Sequence, residues 1–262
     1  MQRRESKMLA DERRRAILQM VKKQGSAAVE DLVKLFNVSA VTLRADLGQL
    51  AREGALVRSY GGAMVNEEQA SDFPLTVKNT RHQAEKTRIA TAAVRKIKSH
   101  QTVILDSGST SAAVARAIKQ ANFDALTVIT HALHIAQEFV SMSKILVIMI
   151  GGIMRHVSGS FVGPQAEQQL RALHADHFFL GIDGLDRDLN LSTPDPLEAQ
   201  LNHIMMEMST DTTVIADASK IGRRSLSVIG NLTVARRLIT DSRVSEEMAN
   251  KIRTEGVELM VV

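Results

Sequence analysis

Between residues 102 and 220, short apolar runs repeatedly give way to clusters of hydroxyls, glycines and charged groups. The first cluster is Asp106-Ser107-Gly108-Ser109-Thr110, placed between Thr102–Leu105 and a helical stretch at Thr110–Lys119. A glycine with flanking hydroxyls and free backbone N–H groups at a helix start suits a phosphate. Other runs end at Thr130-His131, Gly151-Gly152, Gly181-Ile182-Asp183-Gly184 and Asp217-Ala218-Ser219-Lys220. The candidate ligand-binding residues are therefore Asp106, Ser107, Gly108, Ser109, Thr110, Thr130, His131, Gly152, Asp183 and Lys220. N–H groups, hydroxyls and a lysine can hold a phosphate, while carboxylates accept from the hydroxyls of a polyol. That inventory fits a phosphorylated sugar.

Bringing these clusters together requires a sheet. The apolar runs are Thr102–Leu105, Leu126–Thr130, Ile145–Ile150, His177–Leu180, Thr213–Ala216, Leu238–Thr240 and Val257–Val262. Helical periodicity lies between them at Thr110–Lys119, Leu133–Val140, Pro164–Leu173, Glu198–Met208 and Ser245–Thr254. Such alternation predicts an α/β domain with a mostly parallel sheet covered on both faces. Ligands of these sheets bind beyond the carboxyl ends of the strands, where the polar clusters fall. The pairs His131/His134 and His174/His177 have helical i, i+3 spacing, but neither has an evident third ligand. No metal or cofactor is expected.

A different chemistry marks the N-terminal quarter. Val29, Leu32, Val33 and Phe36 recur at the spacing of one buried helical face, Asn37-Val38-Ser39 breaks the run, and Ser39 can cap a second helix. Leu43, Leu47 and Leu50 repeat the stripe, with Gly54 as a stop. Residues 29–48 thus read as a helix-turn-helix, whose second helix can enter a DNA major groove. The face opposite the leucines carries Val41, Ala45 and Arg52, beside Thr42, Arg44, Gly48 and Gln49. Small neutral residues allow close approach to bases, and Arg44 can reach guanine or phosphate. Ala55–Val65 reads as two strands around a Gly-Gly turn, the wing of a winged helix, with Arg58 and Tyr60 near the DNA backbone. The DNA-contact candidates are Arg14, Arg15, Ser39, Ala40, Val41, Thr42, Arg44, Ala45, Arg58 and Tyr60.

Charge supports that division. Residues 1–60 carry 12 Lys and Arg against 7 Asp and Glu, whereas the remaining 202 residues carry 21 against 22. The excess of positive charge sits where phosphates would be neutralised. Two domains suit a chain of 262 residues: a winged helix-turn-helix at 8–65, a polar linker at 66–84 containing Pro74, and an α/β domain at 85–262. No run approaches the ~18 apolar residues of a membrane span, and no signal peptide is read at the start. Cysteine is absent, so disulfides and thiolate ligands are excluded, and a cytoplasmic location is expected. With no Trp and one Tyr, duplex DNA is a better partner than a single strand that needs stacking platforms.

Over roughly residues 10–260 the chain resembles the DeoR-type bacterial regulators of sugar metabolism. The resemblance rests on Val38-Ser39, Thr42-Leu43-Arg44, Asp46-Leu47 and Arg58-Ser59-Tyr60-Gly61-Gly62-Ala63 in the first domain. In the second it rests on Asp106–Thr110, Gly151-Gly152, Gly181–Asp186 and Asp217–Lys220. It implies a C-terminal domain similar to ribose-5-phosphate isomerase that binds a phosphosugar effector. It further implies a repressor of a sugar uptake or catabolic operon, assembled as a homo-oligomer (dimer or tetramer) on double-stranded operator DNA. Glu198–Asn202 and Arg223–Leu226 look most like the amino-sugar (N-acetylgalactosamine type) regulators, pointing to an amino-sugar phosphate. The chain departs from the family pattern at Ala45, Tyr60 and His131, which bears on operator sequence and sugar selectivity. The competing expectation is a phosphosugar isomerase with an appended DNA domain, with Glu198 or Asp195 as its base.

Overall fold

The structure, a computed structural model, describes residues 9–24, 26–52, 56–59, 61–65 and 72–262. It divides between Val77 and Lys78 into two compact units.

The N-terminal unit contains α1 (Ala10–Gln24), β1 (Ser26–Ala28), α2 (Val29–Phe36), α3 (Ala40–Arg52), β2 (Leu56–Ser59) and β3 (Gly62–Val65). The strands form one antiparallel sheet in the order β1-β3-β2. Asn37 ends α2 in the left-handed conformation, φ 49°, and Ser39 Oγ accepts from the Thr42 N–H at 3.2 Å. The turn and cap therefore stand as expected. Ile17, Val21, Leu32, Leu43, Leu47 and Leu50 close a common core with Leu56 and Ala63. At the wing, Gly61 occupies the turn, with φ 84°, whereas Gly62 already belongs to β3. A side chain at Gly62 would collide with the Ala27 carbonyl, so glycine lets β1 pair with β3. Gly54 and Tyr60 lie outside the described residues, as does the side chain of Arg58.

Helix α4 (Leu75–Thr80) runs through the boundary between the units and is followed by α5 (Gln83–Val94). The segment expected to be linker therefore contains helix from residue 75 onward.

In the C-terminal unit, β4 (Thr102–Leu105), α6 (Ser109–Gln120), β5 (Leu126–Thr130), α7 (Leu133–Gln137) and β6 (Ile145–Met149) come first. A hairpin of β7 (Ile153–Arg155) and β8 (Ser160–Val162) leads to α8 (Pro164–Leu170) and β9 (Ala175–Gly181). Then come β10 (Gly184–Leu185), β11 (Asn190–Thr193), α9 (Pro196–Glu207), β12 (Ser209–Ile215), β13 (Ser227–Asn231), β14 (Arg237–Thr240), α10 (Glu246–Thr254) and β15 (Glu258–Val261). Seven strands pair in the order β15-β14-β12-β9-β4-β5-β6, all parallel.

These strands are apolar at consecutive positions because helices cover both faces. Ile104, Phe178, Leu180 and Val214 enter one core, while Val103, Leu105, Phe179 and Ile215 enter the other. The period-2 alternation thus separates two buried sides rather than a wet side from a dry one. The smaller sheet β10-β11-β13 and the β7–β8 hairpin were not anticipated.

Candidate functional site

Chain order reverses between β4 and β9. From β4 the sheet continues to β5 and β6, while β9, β12, β14 and β15 extend the other way. Loops leaving two neighbouring strands therefore separate to opposite faces and open a crevice at the carboxyl ends. Residues 106–110 and 181–183 meet there.

Asp106 organises the crevice rather than facing outward. Its Oδ1 accepts from the Gly108 N–H at 3.0 Å and from Ser111 Oγ, and its Oδ2 accepts from the Gly181 N–H at 2.9 Å. A Cβ on Gly181 would come within 3.0 Å of that oxygen, so glycine permits the link between the two loops. Burial pushes the Asp106 carboxyl up to about 6, against the lowering effect of its three donors. These three bonds make Asp106 part of the scaffold that joins the two loops. Ser109 and Thr110 open α6, where first-turn N–H groups have no intrahelical acceptor. Gly108 caps this helix without a side-chain hydrogen bond.

Charge is balanced within a single network. Asp183, just beyond β9, receives Lys78 Nζ at 2.9 Å and Lys220 Nζ at 3.4 Å. After the desolvation of burial, the two ammonium groups dominate and hold its carboxyl below the usual range. Thr193 Oγ1 lies 3.4 Å from Asp183 Oδ2 and 3.5 Å from Glu198 Oε2. Glu198 Oε1 accepts from Ser107 Oγ at 2.6 Å, tying this network back to the α6 loop. Arg155 on β7 completes it, with Nη1 3.4 Å from Glu198 and Nε 3.0 Å from Asp195.

The local sequence explains these positions. Asp195 caps α9 by accepting from the Glu198 N–H at 2.9 Å, and Pro196 occupies the first turn. Lys220 closes a short 3-10 turn, Ala218–Lys220, capped by Asp217, whose Oδ1 accepts from the Ser219 N–H. Asp217 therefore shapes the loop that delivers Lys220.

Other expected residues stand apart from this network's contacts. Thr130 Oγ1 accepts from the Ala132 N–H at 3.1 Å. His131 is fully buried, and its Nδ1 donates to the Phe161 carbonyl at 2.8 Å, which leaves Nε2 as the bare nitrogen of a neutral ring. Burial lowers its pKa. Gly152 allows close packing, since a Cβ there would meet the Val162 carbonyl at 2.6 Å. Lys78 and Arg155 were missed, because one lies in the expected linker and the other on an unanticipated hairpin.

In the N-terminal unit, Val41, Arg44 and Ala45 form the exposed face of α3, with Val41 74 % exposed. Ala40 is half-buried and packs against the core instead, and the Ser39 and Thr42 hydroxyls bond each other at 2.9 Å. The basic run Arg13-Arg14-Arg15 lies inside α1. Arg13 turns inward to a buried ion pair with Asp46 at 2.7 Å, Arg14 pairs with Asp11 at 2.6 Å, and Arg15 is exposed.

Residues 13–69 match the DeoR-like helix-turn-helix domain, and residues 81–242 match the DeoR C terminal sensor domain. The chain belongs to the DeoR family. Its relatives include the "Putative aga operon transcriptional repressor" of Escherichia coli O157:H7, 36% identical over 96% of this chain and 93% of that protein. The transcriptional repressor AccR of Agrobacterium fabrum is 31% identical over 94% and 96% of the two chains. The glycerol-3-phosphate regulon repressor of Escherichia coli K12 is 29% identical over 90% and 92%. These relatives are named as regulators, which sets aside the isomerase alternative. A ribose 5-phosphate isomerase from Methanocaldococcus jannaschii is a solved structure with a distant likeness: 17% identity, 53% of this chain and 54% of that one, TM-score 0.39. Among the described residues, no helix is long and apolar enough to cross a membrane.

Proposed function

We propose that this DeoR-family regulator represses a sugar uptake or catabolic operon and is released from its operator by a phosphorylated sugar. The observation that carries this reading is the meeting of the α6 N-terminus with the Lys78–Asp183–Lys220 cluster at the reversal point of the sheet. The phosphate sits at the start of α6 with Ser107, Ser109 and Thr110, and sugar hydroxyls donate to Asp183 and Glu198. An amino-sugar phosphate is the preferred effector, supported by the Glu198–Asn202 and Arg223–Leu226 motifs. Paired recognition helices of a cytoplasmic homo-oligomer would read operator half-sites on duplex DNA, with Arg44, Val41 and Ala45 toward the bases. Effector binding favours an arrangement that no longer matches those half-sites.

The test uses the full chain and a DNA fragment that it selects from a random duplex pool. Sugar phosphates, amino-sugar phosphates and their unphosphorylated parents are titrated into the complex. Release by a phosphorylated member alone is expected. Equal release by the unphosphorylated parent, or no release by any member, overturns the reading.

A further inference from the structure

Lys78 occupies an unusual place in the chain. It lies on α4, the helix that runs through the boundary between the two units, yet its ammonium belongs to the sensor's charge cluster. Its 2.9 Å contact to Asp183 is shorter than that of Lys220, at 3.4 Å. Asp183, Glu198 and Asp106 all raise the pKa of Lys78, outweighing the lowering effect of burial. A second lysine fixes the backbone of the same segment. Lys86, 5 % exposed on α5, donates from Nζ to the Lys78 carbonyl at 2.5 Å and to the Arg81 carbonyl at 2.7 Å. Those carbonyls lie at the end of α4, where helical acceptors lack intrahelical partners. The C-terminal half of the connector α4, from Lys78 on, belongs to the C-terminal unit and is held within it by the Lys78 side chain and by its backbone.

Resting on the proposed sugar-phosphate site, we propose that Lys78 is the residue through which the connector reads that site: an anionic effector draws its ammonium away from Asp183 and so changes how α4 is held. Asp183 is satisfied by two lysines. A phosphate at the α6 start adds negative charge beside the cluster, and sugar hydroxyls take over acceptor positions on Asp183. Both changes weaken the Lys78–Asp183 bond, while the Lys86 clamp on the carbonyls is retained. The effector thus interacts differently with the docked and released states of Lys78, as coupling between two sites requires. Lys220, carried on the Ala218–Lys220 turn of the sensor, would bind without transmitting.

The experiment begins without effector. Operator affinity of the full chain is measured for wild type, Lys78→Met, Asp183→Asn and the double variant, with Lys78→Arg retaining the charge and circular dichroism confirming the fold. Lys78→Met and Asp183→Asn are each expected to weaken operator binding by about tenfold. The double variant should be no weaker than either, and Lys78→Arg should recover most of the loss. Operator affinity within twofold of wild type for folded Lys78→Met, or additive losses in the double variant, overturns the proposal. In a second arm, glucosamine 6-phosphate and galactosamine 6-phosphate are titrated by calorimetry and against the operator complex. Lys78→Met that still binds the sugar phosphate but shows less than a third of the wild-type change in operator affinity supports the proposal, whereas an unchanged response overturns it. A wild type that binds neither compound would count against the amino-sugar reading, while the ligand-free arm still decides the role of Lys78.

Discussion

The exposed face of α3 and the crevice between β4 and β9, the two surfaces proposed to meet phosphate-bearing partners, arrange their charges in opposite ways. On α3, Arg44 is exposed among small residues, and the inward-facing charge of this helix, Asp46, is neutralised separately by Arg13. In the crevice, Asp183 is bonded to Lys78 and Lys220, and Glu198 to Ser107 and Arg155. A polyanion such as DNA can be met by solvated cations, which displace its condensed counterions on binding. A small effector must instead change the protein, and it can do so only by replacing bonds that exist in its absence. The difference separates a reading surface from a switch.

The largest effect should come from the pair beneath the reading surface. Arg13→Met leaves Asp46 buried without its cation and is expected to lower the stability of the N-terminal unit by about 3–5 kcal/mol. Thermal denaturation of the full chain checks this, and loss of DNA binding without loss of stability would show Arg13 to be a DNA contact after all. In the crevice, Asp183→Asn removes the carboxylate between two lysines and should weaken sugar-phosphate binding by about 2–3 kcal/mol, as read by calorimetry. Unchanged affinity would mean that its charge serves only the ligand-free state.

Arg44→Ala should leave the melting temperature unchanged and cost about 1–3 kcal/mol of operator binding. Equal losses on operator and random duplexes would make it a phosphate contact instead. The smallest effect concerns Asp106, whose raised pKa of about 6 lies above the ordinary carboxyl value. A raised pKa contributes stability that is full below the unfolded value and is lost as pH rises through about 6. The melting-temperature advantage of wild type over Asp106→Asn should therefore narrow between pH 4.5 and pH 7. A constant gap would show that the three donors, not burial, set the state of this carboxyl.

Much of the fold was legible because its signals are local. The spacing of Leu43, Leu47 and Leu50, the Ser39 cap and the seven apolar runs all depend on neighbours a few residues away. The polar residues at strand ends were legible for the same reason, as with Ser107, Asp183 and Lys220, which the structure joins in one network of hydrogen bonds and ion pairs. What escaped was contributed from afar: Lys78 meets Asp183 across 105 residues, and Glu198 meets Ser107 across 91. No periodicity in Leu75–Thr80 marks Lys78 as inward-facing. The Arg13-Arg14-Arg15 run likewise gave no hint that only its first member would turn inward.

The amino-acid sequence by itself thus determined the two kinds of domain, the family and the strand ends where polar residues are concentrated, since capping, periodicity and loop composition are short-range physics. Tertiary structure alone decided which charged groups compensate one another. Taking Asp183 or Asp46 out of water is tolerable only beside a cation, and which cation can reach is set by the packing of distant helices rather than by distance along the chain.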